Sequence, residues 1–507
     1  MDGNLPGGVN PSERFLATLC RRSFLSLWSY PNPYRDQRAH PGGVGKELCD
    51  LLAIFGNTVL LFSDKRCVFP DVEPLHLAWS RWYRRTISSS VSQVTGADRW
   101  VRTNPERTFL DPQCTVPLPF PLPRVPHIRT HLICVAGGAV EACRTHLSDP
   151  RGSLMLYPDD RPPLYRIDGE SEGTPFCIGV PMSAHGIVHV FDEAGIEIVL
   201  RTLDTMPDFI AYLDARQDLL RSGKLFSAAG EEDLLAYYIS HRYLGPENAF
   251  SFDTDGPGML AVLPGHWDTL VQDPQYHAKI EADTVSYLWD MIIEDFTKHL
   301  RSSTLHGTIV DVLGVERVLR SLAESTRFER RNLSQSLLHV AAQSANSRRP
   351  FTRTILPDGR GRLGYVLMAM PKLESEAAPS YRERRKAFLR TYLEVVGMHN
   401  RQCEELLGLA TESADSSARS HDIMRLDNRE WPPEREHEVA EIQKKTSFFT
   451  RTSTQTTRPL EFPHVHEFGG SIGKMSMLDN RAWERPCPCG SDRSYRECCG
   501  QSHTNED

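Results

Sequence analysis

Two apolar runs about a two-residue turn constrain this chain more than any other stretch. Leu51–Phe55 and Val59–Phe62 flank Gly56-Asn57, and short aliphatic runs around a Gly-Asn turn read as the antiparallel strands of a hairpin. Both runs are apolar throughout, so both faces must be covered, as in a sheet with helices on either side. The ends of the hairpin are polar. Glu47 and Asp50 stand before the first strand, and Ser63, Asp64 and Lys65 close the second. Antiparallel pairing sets those ends side by side, so carboxylates and a lysine converge at one edge of a buried sheet.

Such an edge has a plain reading, as strand-end polar residues where the sheet meets solvent, and a chemical one. Phosphodiester hydrolysis needs a nucleophilic water and neutralisation of a crowded phosphate. A hard divalent ion held by one or two carboxylates supplies both, and a lysine can orient the water or stabilise developing charge. An acid opening one strand and a triplet ending in lysine closing the next resemble the PD-(D/E)XK nucleases, the restriction-endonuclease-like fold. Asp50 matches the first acid and Lys65 the lysine. Glu13, in the amphipathic helix that starts at Pro11, or Glu47 matches the further acid often found on the first helix. The triplet here is Ser63-Asp64-Lys65, with serine where the family has a carboxylate; either Asp64 takes that role or the site is degenerate. The resemblance implies a Mg²⁺- or Mn²⁺-dependent phosphodiester hydrolase, with Asp50, Asp64, Glu47, Glu13 and Lys65 as its site. The alternative it leaves open is an inactive nuclease-fold scaffold.

With 507 residues, the chain exceeds the size at which one core stops growing, and roughly two or three domains are expected. A net charge of −8 excludes whole-chain basicity, so any nucleic-acid surface must be local. No apolar run is long enough to span a membrane, and the N-terminus has no basic stretch followed by an apolar core, so no signal peptide is expected. Eight of the twelve cysteines are scattered singly, a usage that fits a reducing compartment and a cytoplasmic protein.

The first helix is expected to run from Pro11 through Leu27 to the break at Pro31-Asn32-Pro33, and a long helical stretch from Leu77 to Val101 should follow the hairpin. Between Leu77 and Arg107, six arginines face two acids. Arg81, Arg84 and Arg85, with Trp79, Trp82, Tyr83 and Trp100 between and beyond them, suggest an aromatic–basic surface for nucleic acid; the plainer reading buries the tryptophans in the core. His131–Ala136, Ser153–Tyr157, Phe176–Val180, Ile187–Phe191 and Ile196–Leu203 read as strands. Asp204–Leu220 reads as a capped helix, Tyr276–Asn346 as packed helices, Gly364–Pro371 as a buried strand, and Ser380–Val396 and Glu434–Lys445 as further helices. The expected class is therefore α/β (α+β). Residues 1–150 would be the nuclease-like domain, 151–275 an α+β region, 276–445 a helical and α/β region, 446–482 a linker and 483–503 a metal module.

That last module carries the densest signal. Cys487, Cys489, Cys498 and Cys499 place four thiolates within thirteen positions, enough to saturate a tetrahedral Zn²⁺. A segment this small cannot bury a core, so the metal would supply its folding energy; His503 is an alternative ligand. CPCGS, Tyr495 and CCG resemble the SEC-C motif, a zinc-binding tail. That resemblance implies structural zinc and a role in attaching a protein partner.

Overall fold

The computed structural model describes residues 8–463, apart from 38–42, 148–149, 159–163, 168–169, 243–258, 302–311, 358–362, 418–419, 447 and 450–452. The four clustered cysteines lie outside the described residues.

The fold is mixed α/β, with several mixed sheets flanked by helices. Helix α1 (Pro11–Phe24) starts at Asn10, whose side chain accepts from the Glu13 amide, and its core-facing stripe includes Leu16, Leu19, Cys20 and Phe24. It stops before Leu27, because Leu25 takes a left-handed backbone (φ 62°). The residues expected to prolong it, Ser29–Pro31, form strand β1 instead. Proline tolerates this place because β1 is an edge strand and needs no second ladder donor. Tyr34–Arg35 (β2) and Lys46–Glu47 (β3) form a small sheet beside it. The hairpin follows as expected: β4 (Leu51–Phe55) and β5 (Thr58–Arg66) pair antiparallel, with every residue of β4 buried. Gly56 supplies the positive φ that the turn requires (60°).

Helix α2 (Leu75–Tyr83), a π-helical turn (Arg84–Ser88) and α3 (Ser89–Thr103) make the long helical stretch, broken by the wider turn. After β6 (Thr108–Phe109), which joins β2, strand β7 (Arg129–Gly137) returns parallel to β5. Trp82 ties this helical arm to the sheet, its indole N–H shared between the carbonyls of Cys67 and Gly137. Helix α4 (Val140–Leu147), the short strands β8 (Met155–Leu156), β9 (Leu164–Ile167), β10 (Glu170–Gly173), β11 (Cys177–Ile178) and β12 (Met182–Ser183), and the longer β13 (Gly186–Asp192) come next. The main sheet has the order β1-β4-β5-β7-β13-β12. Because β13 pairs parallel with β7, the boundary expected at residue 150 falls inside this sheet.

The strand expected at Ile196–Leu203 is a helix, α5 (Glu193–Thr202). Ile196, Val199 and Leu200 are buried at helical spacing, Glu197 and Arg201 pair across one turn at 2.8 Å, and Asp192 caps the start through the Gly195 amide. The run is apolar enough to pass for a strand, and only its packing selects the 3.6-residue period. Next come α6 (Met206–Arg221, capped by Thr205), β14 (Leu225–Ala228), α7 (Glu231–Arg242), β15 (Leu260–Val262) and α8 (His266–Val271). The helical layer is α9 (Pro274–Asp283), α10 (Tyr287–Arg301), α11 (Val312–Ala323) and α12 (Arg327–Ser347). Buried polar links tie it to the segments flanking the first sheet: the indole of Trp28, just before β1, donates to Glu316 at 3.0 Å, and Arg327 pairs with Asp204, between α5 and α6, at 2.7 Å. A second mixed sheet, β16 (Phe351–Ile355), β17 (Leu363–Met370), β18 (Glu405–Glu412) and β19 (His421–Asp427), packs with α13 (Ala378–His399) and α14 (Pro433–Thr446).

Candidate functional site

The hairpin register decides which strand-end side chains meet. Leu51 opposes Phe62, so the next pair outward is Asp50 and Ser63. Alternation then sends Ser63 and Lys65 to one face of the sheet and Asp64 to the other. On the first face, Asp50 is buried (3 % exposed). Its Oδ2 accepts from the Asp64 backbone amide at 2.5 Å and from Lys65 Nζ at 3.3 Å, and its Oδ1 accepts from Gln93 Nε2 of α3 at 3.0 Å. Ser63, fully buried, donates its hydroxyl to Gln93 Oε1 (2.9 Å), and its oxygen lies 3.2 Å from the Ser90 hydroxyl. Gln93 therefore spans the position where the resemblance expects a second carboxylate. Lys65, the cation of this group, keeps a partly open side chain (31 % exposed).

On the opposite face, Asp64 points to α1 and accepts from Ser12 Oγ at 2.5 Å, while its Oδ1 is buried without a hydrogen-bond partner. Burial raises its pKa to about 6; the charges of Asp50 and Glu13 push the same way, and Ser12 and Lys65 oppose them. Glu13 and Glu47 are drawn together by one group: Asn32 Nδ2 donates to Glu13 Oε2 at 3.2 Å and to Glu47 Oε1 at 2.7 Å. Burial also raises the pKa of Glu47, partly offset by the Asn32 hydrogen bond, with Asp50 and Glu13 adding to the rise. Burial is the main reason that Asp64 and Glu47 hold their protons more tightly than free carboxyls, with the neighbouring carboxylates adding to it.

The five residues expected from the sequence thus lie near one end of the hairpin but in separate contacts: Asp50 with Lys65, Asp64 on the other face with Ser12, and Glu13 with Glu47 through Asn32. Among the described residues, no three His, Cys, Asp or Glu side chains are arranged to enclose a metal ion. The donors present are carboxylate oxygens, one of them an orphan at Asp64. Such a set fits a hard divalent ion held through one or two carboxylates and completed by water and phosphate, and does not fit an all-protein cage. Three participants were not found from the sequence. Ser12 looks like an ordinary first-turn residue, and Gln93 is one polar residue in a Ser-rich helix, with its partner 43 positions away. Asn32 does have a local signal: it sits between two prolines at a positive φ (46°) that asparagine tolerates.

The aromatic–basic surface resolves into two parts. Trp79, Trp82 and Trp100 are buried, so the rings belong to the core and are unavailable for base stacking. Arg81, Arg84 and Arg85 stay exposed on the outer side of the same helical arm. The eight described cysteines are all free thiols. No described helix is long and apolar enough to cross a membrane. No family model, no curated protein and no solved structure matches the chain.

Proposed function

We propose that the edge formed by α1, β4, β5 and α3 is a divalent-cation-dependent phosphodiester hydrolase site of the PD-(D/E)XK kind. The observation that carries this reading is the buried Asp50 carboxylate, held by Lys65 and Gln93 at the end of the hairpin, with Asp64 on the other face of the same strand end and Glu13 and Glu47 joined through Asn32. Asp50 would hold Mg²⁺ or Mn²⁺, assisted by Asp64 or Glu47. The ion would supply charge neutralisation at the phosphate and a water of lowered pKa. Lys65, the open cation of the group, donates to a phosphate oxygen or to the attacking water. Gln93 fixes the plane of the Asp50 carboxylate, and Asn32 keeps Glu13 and Glu47 on the same side. Arg81, Arg84 and Arg85 offer phosphate contacts to a nucleic-acid substrate. The cysteine tail holds a structural zinc ion and docks a protein partner, and the free thiols fit a cytoplasmic protein.

One observation favours a second reading, an inactive nuclease-fold scaffold. Ser63 turns its hydroxyl into α3, leaving one acid on that face where hydrolysis would use two. A cleavage assay separates the two readings. Single- and double-stranded DNA and RNA are incubated with Mg²⁺ or Mn²⁺ and the wild type, Asp50→Ala or Lys65→Ala. Metal-dependent cleavage by the wild type alone supports hydrolysis. No cleavage by any of the three, or equal cleavage by all, rejects it.

A further inference from the structure

The stretch expected to be a free linker contains a seated segment. Residues 453–460 are exposed, but Phe462 is buried (5 % exposed) and Glu461 half-buried. They sit where α7, α9 and α12 meet, a short stretch of chain after α14 (which ends at Thr446 and is bound to α13 of the second sheet unit through Arg435 and Glu394). Three consecutive backbone carbonyls are held by side chains of the body. Arg331 donates to the carbonyls of Leu460 (2.5 Å) and Glu461 (3.1 Å), and Gln275 donates to that of Phe462 (3.3 Å). The side chains are read as well. Glu461 pairs with Arg242 at 2.8 Å and approaches Lys279 at 4.0 Å, and the Lys279 ammonium lies 5.7 Å from the Phe462 ring centroid.

The charge of the surrounding groups explains why the segment must be acidic. Arg242, Lys279 and Arg331 contribute three positive charges. The body answers with two carboxylates: Asp283 pairs with Lys279 and Arg331 at 2.6 and 3.0 Å, and Asp208 lies 3.8 Å from Arg242. Three against two leaves one cation uncompensated in a buried cluster, and Glu461 brings the sum to zero. Buried charge is costly unless paired, so the vacant socket would select a carboxylate and reject a basic residue.

We infer that the α7–α9–α12 socket is a recognition site for a short acidic–aromatic peptide, filled in cis by Leu460-Glu461-Phe462, which fixes the start of the cysteine-bearing tail to the body. Carbonyl contacts supply affinity for an extended chain, and the Glu and Phe side chains supply specificity. Because the segment is tethered, its effective concentration at the socket is on the order of millimolar or above, and a free peptide competes poorly with it. This inference is independent of whether the hairpin edge hydrolyses anything.

The full-length chain tests it, with Glu461→Lys to expel the segment by repulsion and Phe462→Ala to remove only the ring. Chymotryptic cleavage after Leu460 should be slow in the wild type and faster by about tenfold or more in Glu461→Lys, since losing a charge-assisted pair opens the segment. A fluorescent peptide spanning residues 457–464 should bind the Glu461→Lys chain and not the wild type, and the same peptide carrying lysine for Glu461 should bind neither. Phe462→Ala should give intermediate cleavage. Equal cleavage of wild type and Glu461→Lys, or a peptide that binds neither chain or both equally, would overturn the inference. A wild-type dimer by light scattering that dissociates in Glu461→Lys would show the socket filled by a second copy and overturn the cis assignment.

Discussion

Asp64→Asn should stabilise the protein near neutral pH and abolish part of its pH dependence. Asp64 is 4 % exposed, with one oxygen on Ser12 and the other without a hydrogen-bond partner. Its pKa is raised from 3.8 to about 6, first by burial and then by Asp50 and Glu13. A carboxyl whose folded pKa is raised takes up a proton on folding between those two values. The stability tied to its protonated form is therefore complete below the unfolded pKa and is lost as pH rises through the folded one. A rise of about two units corresponds to about 3 kcal/mol. Of this, about 2 kcal/mol develops between pH 4.5 and 8. Asparagine is isosteric, keeps an acceptor for Ser12 and cannot ionise. The variant and wild type should thus melt closely together near pH 4.5 and diverge by a few degrees by pH 8, the variant higher. Differential scanning calorimetry in matched buffers across that range reads the gap. A Mg²⁺ arm adds a second constraint: an ion near Asp64 would favour its ionised form, so the gap should narrow with metal. If the gap were flat from pH 4.5 to 8, Asp64 would not be the buried, destabilised carboxyl that this geometry describes.

Mn²⁺ should raise the melting temperature of the wild type and leave Asp50→Asn unmoved, because an ion bound only by the folded chain stabilises it by mass action; the same shift in both would remove Asp50 from any metal site. The purified chain should carry about one zinc by elemental analysis, lost in a Cys487→Ser/Cys489→Ser variant, and stoichiometric zinc retained there would place the ion elsewhere. Trp82→Ala should destabilise the first sheet by about 3–5 kcal/mol. It deletes a fully buried indole and leaves the carbonyls of Cys67 and Gly137 without their shared donor; a change within experimental error in urea unfolding would show that the helical arm is not anchored there.

Much of the first sheet was legible because its signals are local. Apolar runs about Gly56-Asn57 dictate a hairpin, the hairpin register places Asp50 opposite Ser63, and alternation puts Lys65 on the same face. Proximity of the five acid and lysine residues then follows from chain geometry, with the contribution of Glu13 depending on where α1 docks. The strand at Ser29–Pro31 was hidden because three residues carry no period, and the turn at Leu25 that frees them is set by packing. The helix at Glu193–Thr202 is not legible in the sequence, because an apolar run of that length suits either period until its buried side is known.

The sequence by itself determined the mixed α/β class, the hairpin, the convergence of carboxylates and lysine, and the four-cysteine cluster, since each depends on spacing within a few turns or strands. Tertiary structure alone decided that Gln93 and Asn32 hold the carboxylates, that the tryptophans of α2 and α3 are core, that β13 extends the first sheet past residue 150, and that Glu461 is pinned by Arg242 on a distant helix. Those facts rest on pairs tens to hundreds of positions apart. Burial, charge balance and the satisfaction of polar groups choose among such pairs, and those quantities exist only once the chain has folded.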